Sequence, residues 1–377
     1  MKEFKILSLQ PFSIYANGGG SRILRRLYQG RENRVVSIAI IDTPSSQQTE
    51  SAIKEITFTK AYLIKPWMRW KLRDFLLWLR LRPFFIDFVT NKVIKVIANI
   101  DYDVVHAVDH GPYAGISLNK KVLQNKSLWV SFHDCFASNQ QCLNQTRQFW
   151  TISNRRLVIS NELGEYYCKL FGDQPYEMIT DGVSIDEICE PKNAHDFKYS
   201  LNIYFSGLLH VGYYELFNAL ANALDSLSLK GFDFTFILRG TQPLDFFKNR
   251  SFKVEYRPFT LNVDELKKEQ DAADILYLPI KFNDERFYLY SLSTKMVGYL
   301  AAPGTILYHG PDNSAACNLL KKHNAALCSS SLNTEELVNS ILELNSGSEN
   351  YSENAKKLAL KEFNLTAIQK RFWLERI

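Results

Sequence analysis

Short apolar runs alternate with longer helical patterns along almost the whole 377-residue chain. Lys5–Leu9, Val35–Ile41, Asp103–Ala107, Leu128–Phe132, Leu157–Ser160 and Glu177–Ile179 read as a first set of strands. Leu201–Phe205, Phe232–Leu238, Ile275–Leu278, Thr305–Tyr308 and Ala325–Leu327 read as a second. These runs are continuous rather than alternating, the mark of parallel strands with helices over both faces. The pattern predicts α/β architecture with two Rossmann-like, doubly wound domains. The polar stretch from Asp186 to Ser200, with Pro191, Asn193 and His195, reads as the linker. Residues 1–186 then form an N-terminal domain, 200–352 a C-terminal domain and 353–377 a helical tail.

Length supports two domains, because single cores stop growing near this size. Apolar residues make up 46% and charged residues 23%, ordinary values for a folded protein. A net charge of +5 without a basic stripe or nucleic-acid motif argues against nucleic acid as a partner. None of the six cysteines has C-x-x-C spacing, so they read as reduced thiols and no metal is expected. No run approaches the ~20 apolar residues of a membrane span. The N-terminus lacks the apolar core of a secretion signal. The expectation is a cytoplasmic protein, at most peripheral on the inner face of the membrane. Residues 60–82, KAYLIKPWMRWKLRDFLLWLRLR, keep that option open. Their cations and tryptophans suit an anionic lipid surface, and equally an ordinary amphipathic helix pair.

Open parallel sheets bind ligands beyond the carboxyl ends of their strands. That rule selects the candidates. Gly18, Gly19 and Gly20 follow the first strand and precede a helix, where backbone can approach a phosphate closely. His106, Asp109 and His110 end one strand and His133 ends the next, next to Asp134. Such groups can hold a hydroxyl or take its proton. Arg239, at a strand end in the second domain, has the reach and charge for phosphate. Ser293, Thr294 and Lys295 open a helix. Two hydroxyls, an ammonium and a helix N-terminus make a phosphate cradle that needs no metal.

Ser291-Leu-Ser-Thr-Lys-Met-Val-Gly-Tyr-Leu-Ala-Ala302, running on to Tyr308-His-Gly-Pro311, resembles bacterial glycosyltransferases of the family 4 kind. Asn17-Gly-Gly-Gly-Ser-Arg22, Val158-Ile-Ser160, Asp181-Gly-Val-Ser-Ile-Asp186 and Ser206-Gly207 resemble other parts of that family, in the same order. The resemblance implies a GT-B fold, two domains facing a cleft, with the C-terminal helix crossing back to the N-terminal domain. It implies a sugar-nucleotide donor, UDP- or GDP-linked, in the second domain and no further cofactor. It implies a saccharide or lipid-linked acceptor on the first domain, and metal-independent transfer with retention in surface-polysaccharide or glycolipid synthesis. Two departures matter. Gly298 stands where the family often carries a ribose-binding glutamate, and no Arg or Lys follows Gly207 in the stretch to Gly212. A sugar-nucleotide epimerase and a non-catalytic scaffold are therefore the alternatives.

Overall fold

The computed structural model describes residues 3–41, 52–59, 72, 75, 83–135, 140–192, 200–207, 209, 211–260, 262–346 and 350–375. The basic, tryptophan-rich segment at 60–82 lies outside them apart from Leu72 and Phe75. His210 and residues 193–199 of the linker stretch also lie outside. The chain divides into two compact units, Met1–Thr180 and Asp181–Ile377.

The first unit runs β1 (Ile6–Gln10), α1 (Gly19–Tyr28), β2 (Val35–Ile41), β3 (Lys54–Thr59), α2 (Pro83–Ile97), β4 (Val104–Val108), α3 (Lys120–Leu123), β5 (Ser127–Phe132), α4 (Gln140–Ile152), β6 (Arg155–Val158), α5 (Asn161–Phe171) and β7 (Glu177–Met178). All strands pair in parallel, in the order β3-β2-β1-β4-β5-β6-β7. Every residue of β1 and β4 is buried, as the continuous apolar runs require.

The second unit runs β8 (Ser200–Ser206), α6 (Tyr214–Ser228), β9 (Asp233–Arg239), β10 (Lys253–Arg257), α7 (Val263–Ala272), β11 (Ile275–Pro279), α8 (Glu285–Tyr290), α9 (Thr294–Ala301), β12 (Thr305–His309), α10 (Ala315–Lys322), β13 (Leu327–Ser329), α11 (Thr334–Ser346), α12 (Tyr351–Glu362) and α13 (Leu365–Phe372). Its sheet is also parallel, ordered β10-β9-β8-β11-β12-β13. Its core is aromatic. Phe217 on α6 meets Phe205 edge-on at 4.9 Å and Tyr277 at 5.1 Å, and stacks on Phe236 at 5.9 Å. Each such ring contributes roughly 2 kcal/mol by burial. The tail returns along this unit: Val183 N–H donates to Phe363 O, and Leu365 N–H to Val183 O.

Two doubly wound parallel sheets are what the apolar runs predict. Two strands were not anticipated, β3 (KEITFT) and β10 (KVEYR). Both are the outermost strand on the same side of their sheet, and both carry charges that suit an edge and break the apolar run. In each sheet, chain order reverses between the first strand and its fourth, β1/β4 and β8/β11. Ligand crevices open at such points. Among the described residues no helix is long and apolar enough to cross a membrane, and no cluster of three or more His, Cys, Asp or Glu could hold a metal ion.

Candidate functional site

In the first unit the crevice at β1/β4 is lined by the glycine turn and by the ends of β4 and β5. Gly18 is the N-cap of α1, and no side chain caps the helix; its first turn holds no acid. Ser21 lies inside the helix and donates to Ser13 O at 2.8 Å. Gly20 faces His133: a Cβ there would sit 3.3 Å from Nδ1 and 2.7 Å from the Phe12 ring. His133 is 5% exposed, and neither ring nitrogen has a partner among the described residues. Burial, then the charge of nearby His110, pulls its pKa down to about 3, so the ring is neutral. A neutral imidazole offers one N–H and one lone pair, the complement of a hydroxyl. His110 stands edge-on to Phe12 at 6.4 Å and 3.8 Å from the Asp134 carboxylate.

The other two candidates here are turned elsewhere. The His106 ring lies in the core between the Tyr28 hydroxyl, 2.5 Å from Nδ1, and the Ser131 hydroxyl, 2.7 Å from Nε2. Burial, then His133 and Arg155, lowers its pKa to about 3. Asp109 accepts from Thr146 Oγ1 at 2.6 Å and Gln145 Nε2 at 3.0 Å, which ties the end of β4 to α4. Burial raises its pKa to about 6 against those two bonds.

In the second unit the crevice at β8/β11 centres on Gly207, just past β8. Its φ of +136° suits glycine alone. Its N–H donates to Arg239 O, and Thr241 Oγ1 donates to its carbonyl. The Lys295 amine comes in from α9: a Cβ on Gly207 would stand 3.3 Å from Nζ. That amine rests 3.8 Å from the Phe205 ring centroid, and no carboxylate pairs with it among the described residues. The residue as a whole is half-buried, but its amine is deep enough that burial lowers its pKa to about 7. Ser293 caps α9 by accepting from Lys295 N at 3.2 Å, and Thr294 begins the helix.

Arg239 is differently engaged. Its guanidinium bonds Glu269, Glu265 at 2.7 Å and the Pro258 carbonyl at 2.6 Å, and is 5% exposed. The hydrogen bonds it donates to Glu269 raise its pKa against burial. It anchors α7 to the ends of β9 and β10. Lys281, which sequence reasoning missed, follows β11 on the other side of the crevice. A Cβ on Gly212 would stand 3.0 Å from its Cδ, and its amine lies 3.2 Å from Asp284. The signal for it was topological: it follows the strand at which chain order reverses.

No family model matches this chain, and no curated protein sequence matches it. Solved structures do. A glycosyltransferase from Rickettsia africae superposes with a TM-score of 0.69 at 13% identity, over 99% of this chain and 97% of the other. A trehalose-6-phosphate synthase, studied for glycosyl transfer with retention, gives 0.65 at 11%, over 98% of each chain. A UDP-forming α,α-trehalose-phosphate synthase from Burkholderia xenovorans gives 0.64 at 10%, over 99% and 98%. Over nearly its whole length, this chain has the GT-B fold of glycosyltransferases.

Proposed function

We propose that the chain is a glycosyltransferase that takes a sugar from a nucleotide donor held in the second unit. The observation that carries this reading is the Lys295 amine. It is set deep at the Gly207 turn without a carboxylate partner. A cation buried without a counter-ion is costly, and an incoming diphosphate removes that cost. When the anomeric C–O bond breaks, its electron pair goes to a phosphate oxygen. The ammonium of Lys295, the Ser293 and Thr294 hydroxyls and the start of α9 then meet the growing charge. Lys281 adds a second cation at the same crevice, and Arg239 serves it from behind by holding the ends of β9 and β10. In the first unit we assign the bare N-terminus at Gly18–Gly20 to a phosphate oxygen. Neutral His133 takes a sugar hydroxyl, with His110 and Asp134 beside it to receive a proton. His106 and Asp109 support that shell from within.

A lysine and a helix start can stabilise a leaving diphosphate without a metal, so metal-independent transfer is part of the reading. The trehalose-phosphate synthases of the same fold make retention the expected outcome and UDP the first base to try. We extend the reading to a saccharide or lipid-linked acceptor in polysaccharide or glycolipid synthesis, with residues 60–82 against an anionic inner-leaflet surface.

A thermal-shift screen with UDP-, GDP-, ADP-, CMP- and dTDP-sugars tests the core of it. A donor at 100 times its Kd stabilises by roughly 2.7 kcal/mol, and Lys295→Ala should remove that shift. Gly298 favours a second reading, a donor-blind scaffold, since glycine offers a ribose no side-chain acceptor. Silence across all five nucleotides selects the scaffold.

A further inference from the structure

We infer that Glu55 is a positioning residue. Its carboxylate fixes the turn that launches α1 and also, through a one-way chain of hydrogens across the sheet, the ring proton of His106.

Glu55 stands on the edge strand β3. One carboxylate oxygen accepts from Ser13 Oγ at 2.5 Å; the other accepts from Ile14 N at 2.7 Å and Ser37 Oγ at 3.0 Å. The same turn is gripped from α1. Ser21 donates to Ser13 O at 2.8 Å, and Arg25 donates to Ile14 O at 2.6 Å and Ala16 O at 3.0 Å. Tyr15 adds a reciprocal pair with Ile53, donating to its carbonyl at 3.0 Å and accepting from its N–H at 2.8 Å. Residues 13–16 are thus tied to β3 on one side and α1 on the other. The uncapped helix start and the Gly20–His133 contact begin just past this fixed point.

The chain of hydrogens follows by elimination. An ionised carboxylate only accepts, so the Ser37 hydrogen goes to Glu55. Ser37 Oγ must then accept from Gln10 Nε2, at 2.5 Å. That turns the Gln10 oxygen to Ser8, whose hydrogen it takes at 2.7 Å. Ser8 therefore accepts from Tyr28, at 2.9 Å. With its own hydrogen spent, the Tyr28 oxygen accepts from His106 Nδ1–H. His106 Nε2 is left to accept from Ser131. Ser8, Gln10, Tyr28, Ser37, His106 and Ser131 are each at most 2% exposed, so no bulk water can reverse a link. A buried network satisfied in one direction specifies one arrangement.

The test uses the full chain with 15N-labelled histidine, His106 being assigned from the signals lost in His106→Asn. The wild type should show the Nδ1–H tautomer. Glu55→Gln should keep it, because the Ile14 N–H holds the amide oxygen where it still accepts from Ser37. Ser37→Ala leaves the Gln10 amide facing a hole. An unmet carbonyl is better tolerated there than an unmet N–H, so the amide turns and the ring proton moves to Nε2. Amide exchange at Ile14 should stay protected in Ser37→Ala. In Glu55→Leu it should quicken about tenfold or more, the scale of one lost bond to a charged group, and the tautomer should move as well. A wild-type Nε2–H ring, or a tautomer unmoved in Ser37→Ala, overturns the chain. Unchanged Ile14 exchange in Glu55→Leu overturns the grip on the turn. If Glu55→Leu does not fold, the tautomer in Ser37→Ala decides alone. Neither readout involves a sugar nucleotide, so the result is independent of the transferase reading.

Discussion

The two units have the same strand order at their crevices but present opposite chemistry there. In the first, burial works against charge: His106 and His133 fall to about 3 and are neutral, and Asp109 rises to about 6. Its helix start is uncapped, so charge complementarity comes from backbone amides. In the second, α9 is capped by its own Ser293, and the crevice relies on a side-chain amine that burial brings to about 7. One crevice suits hydroxyls and amide-bound oxygens; the other suits a full negative charge. A shared topology fixes where ligands sit and leaves what they are to a few side chains.

The sharpest way to break the contrast is to remove the buried carboxyl of the first unit. Asp109 has its folded pKa near 6 against an ordinary 3.8. The folded state therefore binds the proton more tightly than the unfolded one. The sign is thus that stability is fullest below 3.8 and falls as pH rises towards 6. About two pKa units correspond to roughly 3 kcal/mol. Asp109→Asn should remove most of that slope, so urea midpoints at pH 4 and pH 7 converge in the variant and diverge in the wild type. Equal slopes would mean that burial does not raise the Asp109 pKa in the folded state.

Gly207→Ala attacks the second unit. At φ +136° a side chain costs about 1–3 kcal/mol, and its methyl would stand 3.3 Å from the Lys295 amine. Lower thermal stability together with a lost UDP shift is expected. Lost stability with an intact shift would separate the turn from the diphosphate.

A pH series is the milder probe. The Lys295 amine titrates near 7 when free, and a bound diphosphate holds it charged. UDP affinity should be flat below pH 7 and fall towards tenfold per pH unit above it. Lys295→Arg, charged throughout, should flatten that fall. A wild-type curve flat to pH 9 would place the diphosphate away from this amine.

Much of this was legible in the sequence because it rests on buried apolar runs. The strands of both sheets could be read except for β3 and β10, where edge charges break the run. Candidate positions could be read because strand ends mark crevices. Side-chain direction could not. Nothing local tells that His106 turns to Tyr28 on α1, or that Arg239 turns to Glu269 on α7, because both partners are distant in sequence. Glu55 was missed for the same reason, since it owes its place to the distant β1–α1 turn. Lys281 follows the end of β11 and was open to the strand-end rule.

The smallest expected effect on stability bears most directly on the uncapped helix. Gly18 is extended, at φ −163° and ψ 160°, the backbone of an ordinary N-cap, and a Cβ there meets nothing within 4 Å. Gly18→Asp should therefore be accepted without strain. Its carboxylate would take the amides of the first turn of α1 and face the positive end of the helix, for a gain of about 0.5 kcal/mol. That same gain should cost function, because the amides proposed for a phosphate oxygen are then occupied and the new charge repels it. A variant slightly more resistant to urea yet slower with whichever sugar nucleotide the screen identifies is the expected result. If turnover is untouched, glycine at this position serves the chain's path alone, and the first unit's crevice binds through His133 without help from the helix.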